Sequence, residues 1–102
     1  MHRLLVSYGR PADTDAFDRH YRETHAPLAL TLPGLVRFTY GSPQSLDPSH
    51  EAPYLVAELD FESEQAMGEA FASAEGQATA ADVPTFASGG ASMVHFEIQD
   101  AK

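Results

Sequence analysis

Residues 54–74, YLVAELDFESEQAMGEAFASA, contain a change of hydrophobic period that decides the fold. The first eight residues have the period of two of a β-strand, and apolar residues recur at helical spacing after Ser63, a suitable N-cap. We expect Gly76 to interrupt this helix and a short helical piece to follow at about 77–82, before Pro84. One face of the strand carries Leu55, Ala57, Leu59 and Phe61, and the other carries Tyr54, Val56, Glu58 and Asp60.

The rest of the chain repeats the alternation of strands and helices around this segment. A first strand is predicted at 3–8, and a helix capped by Asp13 or Thr14 follows it. Pro27 predicts that this helix ends or kinks just after His25. Further strands are predicted at 36–40 and 92–99, with an exposed loop at 41–53. The order β-α-β-β-α-β predicts one α+β domain over 1–102, a ferredoxin-like sandwich with a four-stranded antiparallel sheet.

Both faces of the predicted sheet carry apolar residues. Leu5 lies on the face opposite Leu4 and Val6, and Val56 lies opposite Leu55. Both helices of a ferredoxin-like sandwich lie on one face, so the other face needs a different cover. We therefore expect a homodimer in which a second copy covers that face.

Composition and charge exclude several classes of partner. Among 102 residues there are 6 Lys and Arg against 15 Asp and Glu, which gives a net charge of −9, and there is no cysteine. Nucleic acids and anionic membrane surfaces require basic patches, so neither is an expected partner. Disulfides and cysteine-ligated metals are excluded. The first residues do not resemble a signal peptide and no apolar run could span a bilayer, so we expect a cytoplasmic protein.

His25 is the strongest candidate for chemistry. It lies on the apolar stripe of the first predicted helix, with Phe17 and Tyr21. An imidazole can donate or accept a proton near neutral pH, so His25 is a candidate general acid or base. The alternative is a structural role in which His25 caps the helix C-terminus.

Aromatic residues of the predicted strands are candidates for a binding cavity. Phenols there could donate hydrogen bonds to a ligand, although aromatic strand residues often only pack. The candidate substrate-binding residues are Tyr8, Phe38, Tyr40 and Tyr54.

No metal or cofactor motif is apparent. His20 and His25 are five residues apart, unlike the i, i+4 pair of a helical metal site. Glu58 and Asp60 could help bind a metal, but pairing with Arg3 or Arg37 across the sheet is the favoured reading. There is no phosphate-binding loop and no dinucleotide fingerprint, so we expect neither a metal nor a cofactor.

Three stretches of the chain resemble the EthD family, named from ethyl tert-butyl ether degradation. They are residues 8–11 (YGRP), 17–28 (FDRHYRETHAPL) and 32–35 (LPGL), and the segment 73–86 also resembles the second helical region of the family. The resemblance implies a ferredoxin-like subunit that pairs into a dimeric α/β barrel. It also implies that His25 is the position to carry over as catalytic, with Tyr21 as its neighbour one turn earlier.

The expected function is that of a small homodimeric protein acting on a hydrophobic small molecule. The resemblance implies an oxidoreductase of the cofactor-independent oxygenase type, or an accessory to an oxygenase system, with His25 as general acid/base. The alternatives are a lyase or cyclase of the same fold and a non-catalytic protein that binds or delivers a metabolite. Fold analogy alone does not select among these chemistries.

Overall fold

A computed structural model describes residues 1–102 and contains one four-stranded antiparallel sheet. The strands are β1 (His2–Tyr8), β2 (Leu35–Gly41), β3 (Leu55–Phe61) and β4 (Ala91–Glu97), in the spatial order β2-β3-β1-β4. With helices between β1 and β2 and between β3 and β4, this is the ferredoxin-like α+β topology, and the predicted fold class is confirmed. Each predicted strand is present, with bounds shifted by one or two residues.

The first helical segment runs without a break from Thr14 to Ala29. It consists of α1 (Thr14–His20), a π-helical turn (Tyr21–His25) and α2 (Ala26–Ala29). The Asp13 side chain accepts a hydrogen bond from the Ala16 amide at 3.0 Å, as expected of an N-cap. The helix continues through Pro27, because Ala26 keeps a right-handed helical conformation, so the expected end after His25 is wrong. The change from the π-helical turn to α2 nevertheless falls between His25 and Ala26, where the sequence predicts an end or a kink.

The second helical segment is divided at Ser73 and not at Gly76. The two helices are α3 (Glu64–Ala72) and α4 (Ala74–Phe86), and Ser63 caps α3 through the Ala66 amide as expected. The expected interruption at Gly76 is wrong, because this glycine lies in the first turn of α4. A Cβ at Gly76 would collide with the Ala70 carbonyl oxygen, so the residue permits the close approach of the two helices. None of the helices has the length and hydropathy needed to cross a membrane.

The hydrophobic core lies between the helices and one face of the sheet. Strand register places Leu4 beside Leu59 and Val6 beside Ala57 on this face. Aromatic rings dominate its centre: Tyr8 meets Phe17 edge to face, with ring centroids 5.5 Å apart. Burial of each such side chain contributes about 1.5–3 kcal/mol, so this cluster is a main determinant of how the first helical segment sits on the sheet.

The other face of the sheet has no helix over it. Arg3 binds Asp60 there through two hydrogen bonds of 2.8 and 3.0 Å, and it also lies 3.4 Å from Glu58. The pairing of these carboxylates with Arg3 is therefore confirmed. Val94 and Phe96 lie on the same face, and 53% and 44% of their surfaces are exposed.

Candidate functional site

A cavity of about 240 Å³ lies between the sheet and the helices. Its wall is mostly apolar, and its polar groups come from Tyr8, Tyr21, His25 and Thr79. An apolar cavity of about 150 Å³ can hold benzene, so this volume suits a substituted single ring or a molecule of similar size. The lining residues are Leu4, Val6, Tyr8, Tyr21, His25, Ala29, Phe38, Ala57, Leu59, Met67, Phe71, Thr79, Ala80, Val83 and Met93.

His25 lies in the wall of this cavity and is almost fully buried, with 4% of its surface exposed. The π-helical turn buries both its first residue, Tyr21, and its last, His25, with the two rings 5.3 Å apart. Turns of this kind are frequent at functional sites because the extra residue in the turn redirects side chains. Phe86 of α4 packs on the imidazole at 4.8 Å.

Asp82 of α4 fixes the orientation of His25. Its Oδ2 lies 2.9 Å from Nδ1 of His25 and 2.9 Å from Nε2 of His20, and its Oδ1 accepts a hydrogen bond from the Thr85 hydroxyl at 3.1 Å. Burial of Asp82 opposes its ionisation, but the hydrogen bonds from His20, His25 and Thr85 outweigh burial and hold its pKa below the ordinary value. Asp82 is therefore a carboxylate near neutral pH.

The Asp82 carboxylate determines the tautomer of His25. A carboxylate can only accept hydrogen bonds, so Nδ1 of His25 carries the proton that it donates. Nε2 is left with its lone pair, and no protein group hydrogen-bonds to it. Burial lowers the pKa of His25, although Asp82 acts in the opposite direction. His25 is therefore a neutral base at physiological pH.

Two phenols complete the polar part of the cavity wall. Burial raises the pKa of Tyr8 to about 12 and raises that of Tyr21 further still. Both side chains therefore stay protonated at physiological pH. The two hydroxyls also hydrogen-bond to each other, so the pair has one proton left to donate to a ligand oxygen. The cavity thus combines a neutral base with a pair of neutral phenols in apolar surroundings.

The structure brings together four of the six predicted site residues. His25, Tyr21, Tyr8 and Phe38 all line the cavity. The others do not line it: Tyr40 packs against the ring of Tyr21 from outside, at 4.9 Å, and the Tyr54 hydroxyl donates to Asp18 at 2.8 Å. Roles for these residues in binding or catalysis remain predictions. The cap alternative for His25 fails, because its ring bonds to Asp82 and to no helix carbonyl.

Sequence reasoning missed Asp82 and the participation of His20. A signal was present, because Asp82 lies three residues after Thr79 and four before Phe86, and both of these are buried residues of α4. An acid at such a position faces the core and requires a partner there. The break expected at Gly76 obscured this helical pattern.

Comparisons with known proteins agree with the fold. The model of the EthD domain matches residues 10–90. An uncharacterised 11.0 kDa protein from the thcB-thcC intergenic region of Rhodococcus erythropolis is 48% identical over 94 residues, which cover 92% of this chain and 91% of that protein. An ethyl tert-butyl ether degradation (EthD) family protein from Bacillus halodurans superposes with a TM-score of 0.88 at 31% identity, covering 97% of this chain and 99% of the other.

More distant solved structures share the fold alone. SnoaB from Streptomyces nogalater, a cofactor-independent oxygenase, superposes with a TM-score of 0.66 at 16% identity, covering 98% of this chain and 94% of SnoaB. A dimeric ferredoxin-like protein of unknown function from Thermobifida fusca superposes with a TM-score of 0.71 at 13% identity, covering 95% and 90% of the two chains.

Proposed function

Because the chain belongs to the EthD family, we propose that it is a homodimeric enzyme that removes a proton from a small apolar substrate held in the cavity. The observation that carries this proposal is the hydrogen bond of 2.9 Å from Nδ1 of the buried His25 to Asp82. The bond leaves the lone pair of Nε2 for the substrate, and the nearby carboxylate stabilises the imidazolium that forms. The cytoplasm stays the predicted location of this activity.

The cavity chemistry selects a class of substrate. Its apolar wall favours an uncharged molecule, and the neutral hydroxyls of Tyr8 and Tyr21 are suited to bind a carbonyl or phenol oxygen. Removal of a proton from the carbon next to a carbonyl group places negative charge on the carbonyl oxygen. Hydrogen bonds from neutral donors strengthen as that charge develops, which lowers the barrier to proton transfer.

An oxygenase reaction is the version that we favour, with dioxygen as the oxidant. His25 takes a proton from an activated CH2 group, and the carbanion forms a C–O bond with dioxygen. The peroxide then regains the proton from His25 and loses water, which leaves a carbonyl, so that one CH2 and one O2 give one C=O and one H2O. The shared fold of SnoaB supports this version. A lyase or cyclase would use the same base without dioxygen, and an accessory role beside a separate oxygenase remains a further alternative.

The exposed sheet face supports the homodimer. Val94 and Phe96 present large apolar surfaces there, next to the paired charges of Arg3 and Asp60. A second copy of the chain that packs sheet to sheet would remove these apolar surfaces from water while the ion pairs stay satisfied. The cavity lies on the opposite face, so each subunit would keep its own site.

Hydrogen–deuterium exchange tests the proton abstraction before any later step. A panel of small cyclic ketones and 1,3-diketones that contain an acidic CH2 group is incubated with the protein in D2O. Loss of the acidic C–H signal is followed by NMR, and oxygen uptake is recorded in parallel. We expect His25→Gln to abolish catalysed exchange and Asp82→Asn to lower its rate by about 10²–10⁴-fold, because the second change destabilises the required tautomer. His50→Gln is the matched control, because His50 is an exposed histidine of the loop outside the cavity, and this variant should exchange at the wild-type rate.

The pH profile provides a second test of the same base. Burial places the pKa of His25 below its ordinary value of about 6.5, so the neutral form persists into mildly acidic solution. We expect the exchange rate to fall on acidification with a midpoint below the ordinary histidine pKa of about 6.5. Exchange that persists in His25→Gln would contradict the proposed base.

A non-catalytic binding protein is the second candidate, and the extent of the Asp82 network favours it. Asp82 also binds His20 and Thr85, so the carboxylate ties α4 to α1 whether or not a reaction occurs. In this case the same ligands would bind in the cavity without exchange, and Asp82→Asn would change stability alone. Binding by wild-type protein with no detectable exchange across the panel would favour this candidate.

A further inference from the structure

A second group of ligating side chains lies outside the cavity. His2 at the start of β1, His95 on β4 and Glu64 at the start of α3 place one ligand atom each within 4.8 Å of one another. The two histidines are 93 positions apart in the chain, so no spacing motif could have indicated the cluster. The Asp82 network shares no residue with it.

The distances within the cluster are close to those of a metal site. Nε2 of His2 lies 2.9 Å from Nδ1 of His95, and Nδ1 of His95 lies 3.8 Å from Oε1 of Glu64. Neighbouring ligands of a tetrahedral zinc ion with bonds of about 2.0–2.1 Å are about 3.3 Å apart. The two distances lie on either side of this value, and the third separation, between the ligand atoms of His2 and Glu64, is at most 4.8 Å. Side-chain movements of up to about 1.5 Å, chiefly of the exposed Glu64, would therefore bring the three atoms to coordination distance.

Glu97 provides an independent feature that zinc sites commonly contain. Its Oε1 lies 3.5 Å from Nδ1 of His2, on the other side of that ring from the cluster. A carboxylate at this position favours the proton on Nδ1 and directs the lone pair of Nε2 toward the ligand position. His2 is 6% exposed, so its orientation is fixed by packing.

We propose that His2, His95 and Glu64 bind one divalent transition metal ion of the zinc class. Two imidazoles and one carboxylate are a ligand set typical of zinc, and the exposed side of the cluster leaves a fourth position for water. Without metal, Nδ1 of His95 donates its hydrogen bond to the lone pair of His2. Metal binding requires His95 to move that proton to its own Nε2, which changes the tautomer without net proton release.

The site would join three elements at one end of the cavity. His2 precedes Leu4 by two residues on β1, and His95 follows Met93 by two residues on β4, so each lies on the face that lines the cavity. Glu64 precedes the cavity residue Met67 by three on α3. A bound ion would therefore hold α3 against the edge of the sheet, next to the cavity and separate from His25.

Metal titration of the untagged full-length chain tests the proposal. The protein is treated with EDTA, dialysed and titrated with Zn²⁺ against a chromophoric chelator, and Co²⁺ is used to record the absorption of a tetrahedral site. We expect one Zn²⁺ per chain, at least 10-fold weaker binding in His95→Gln and in Glu64→Gln, and loss of the Co²⁺ band in His95→Gln. His50→Gln and His25→Gln are matched controls and should bind as the wild type does.

The outcomes separate this site from other modes of metal binding. Zn²⁺ affinity weaker than about 1 mM would overturn the proposal. Wild-type affinity in both His95→Gln and Glu64→Gln, each shown to be folded by circular dichroism, would also overturn it, because the ion would then bind elsewhere. Loss of Zn²⁺ binding in these variants, with unchanged binding in His25→Gln, would support the proposed ligands.

Discussion

The substitution Ala57→Val tests whether the cavity beside His25 is open space in solution. Ala57 lies on β3, one of the two central strands, is 1% exposed and contributes to the cavity wall. Valine suits a strand position, so the change does not conflict with the backbone. The two added carbons would enter the cavity of about 240 Å³, which has room for them.

The expected free-energy change is a balance of two effects. Burial of two further carbons contributes about 1.6 kcal/mol at about 0.8 kcal/mol each, and loss of side-chain freedom costs about 0.5 kcal/mol. We therefore expect Ala57→Val to raise the free energy of unfolding by about 1 kcal/mol, or the melting temperature by about 4–8 °C. In a fully packed core, the same two carbons would cost about 1–3 kcal/mol through strain, so the sign of the change decides the question.

Urea unfolding at fixed protein concentration measures this change, and Ala70→Val is the matched control. Ala70 is also 1% exposed, but it lies outside the cavity, and its carbonyl is packed against Gly76. We expect the control to be destabilised by about 1–3 kcal/mol. Ala57→Val should also weaken binding of a cyclic 1,3-diketone. Equal destabilisation of both variants would refute the existence of the cavity in solution.

Two predictions concern the outer face of the sheet. Light scattering should give about twice the chain mass of 11.0 kDa for the wild type and the mass of a single chain for Phe96→Glu, whereas Leu46→Glu in the exposed loop should stay dimeric. A dimeric Phe96→Glu protein would contradict sheet-to-sheet packing. The hydrogen bonds from Arg3 hold the pKa of Asp60 below its usual value. The ion pair therefore contributes its full stabilisation at pH values above the unfolded-state pKa of about 3.9. This stabilisation is lost as the pH falls through the lower pKa of the folded state. Asp60→Asn should therefore cost about 1–3 kcal/mol in urea unfolding at pH 7 and progressively less below pH 4, and a cost independent of pH would contradict this reasoning.

The strands and the starts of the helices could be predicted because local signals specify them. Alternation of apolar residues located β1 and β3, and Asp13 and Ser63 act as the N-caps that their side chains indicate. The ends of the helices were harder to predict. Pro27 does not end its helix, because the wider π-helical turn before it accommodates the proline ring and its missing backbone N–H.

The candidate site was predictable only in part. His25 stood out because an ionisable residue on an apolar helix stripe is unusual, and the structure buries it in a cavity wall. The sequence predicts that Tyr8 and Tyr54 both belong to strands, yet Tyr54 precedes β3 and its hydroxyl binds Asp18. The sequence contains no signal for this difference, since it depends on where the strand begins relative to α1.

By itself, the amino-acid sequence determined the order of the elements, the faces of the strands and the position of the imidazole on the first helical segment. These features depend on residues a few positions apart, whose periodicity and capping act through the local backbone. Only the tertiary structure decided that Asp82 binds His25 and that His2 meets His95. Such pairs form when strand order and helix packing bring distant segments together, and the position of each partner depends on contacts of the whole core.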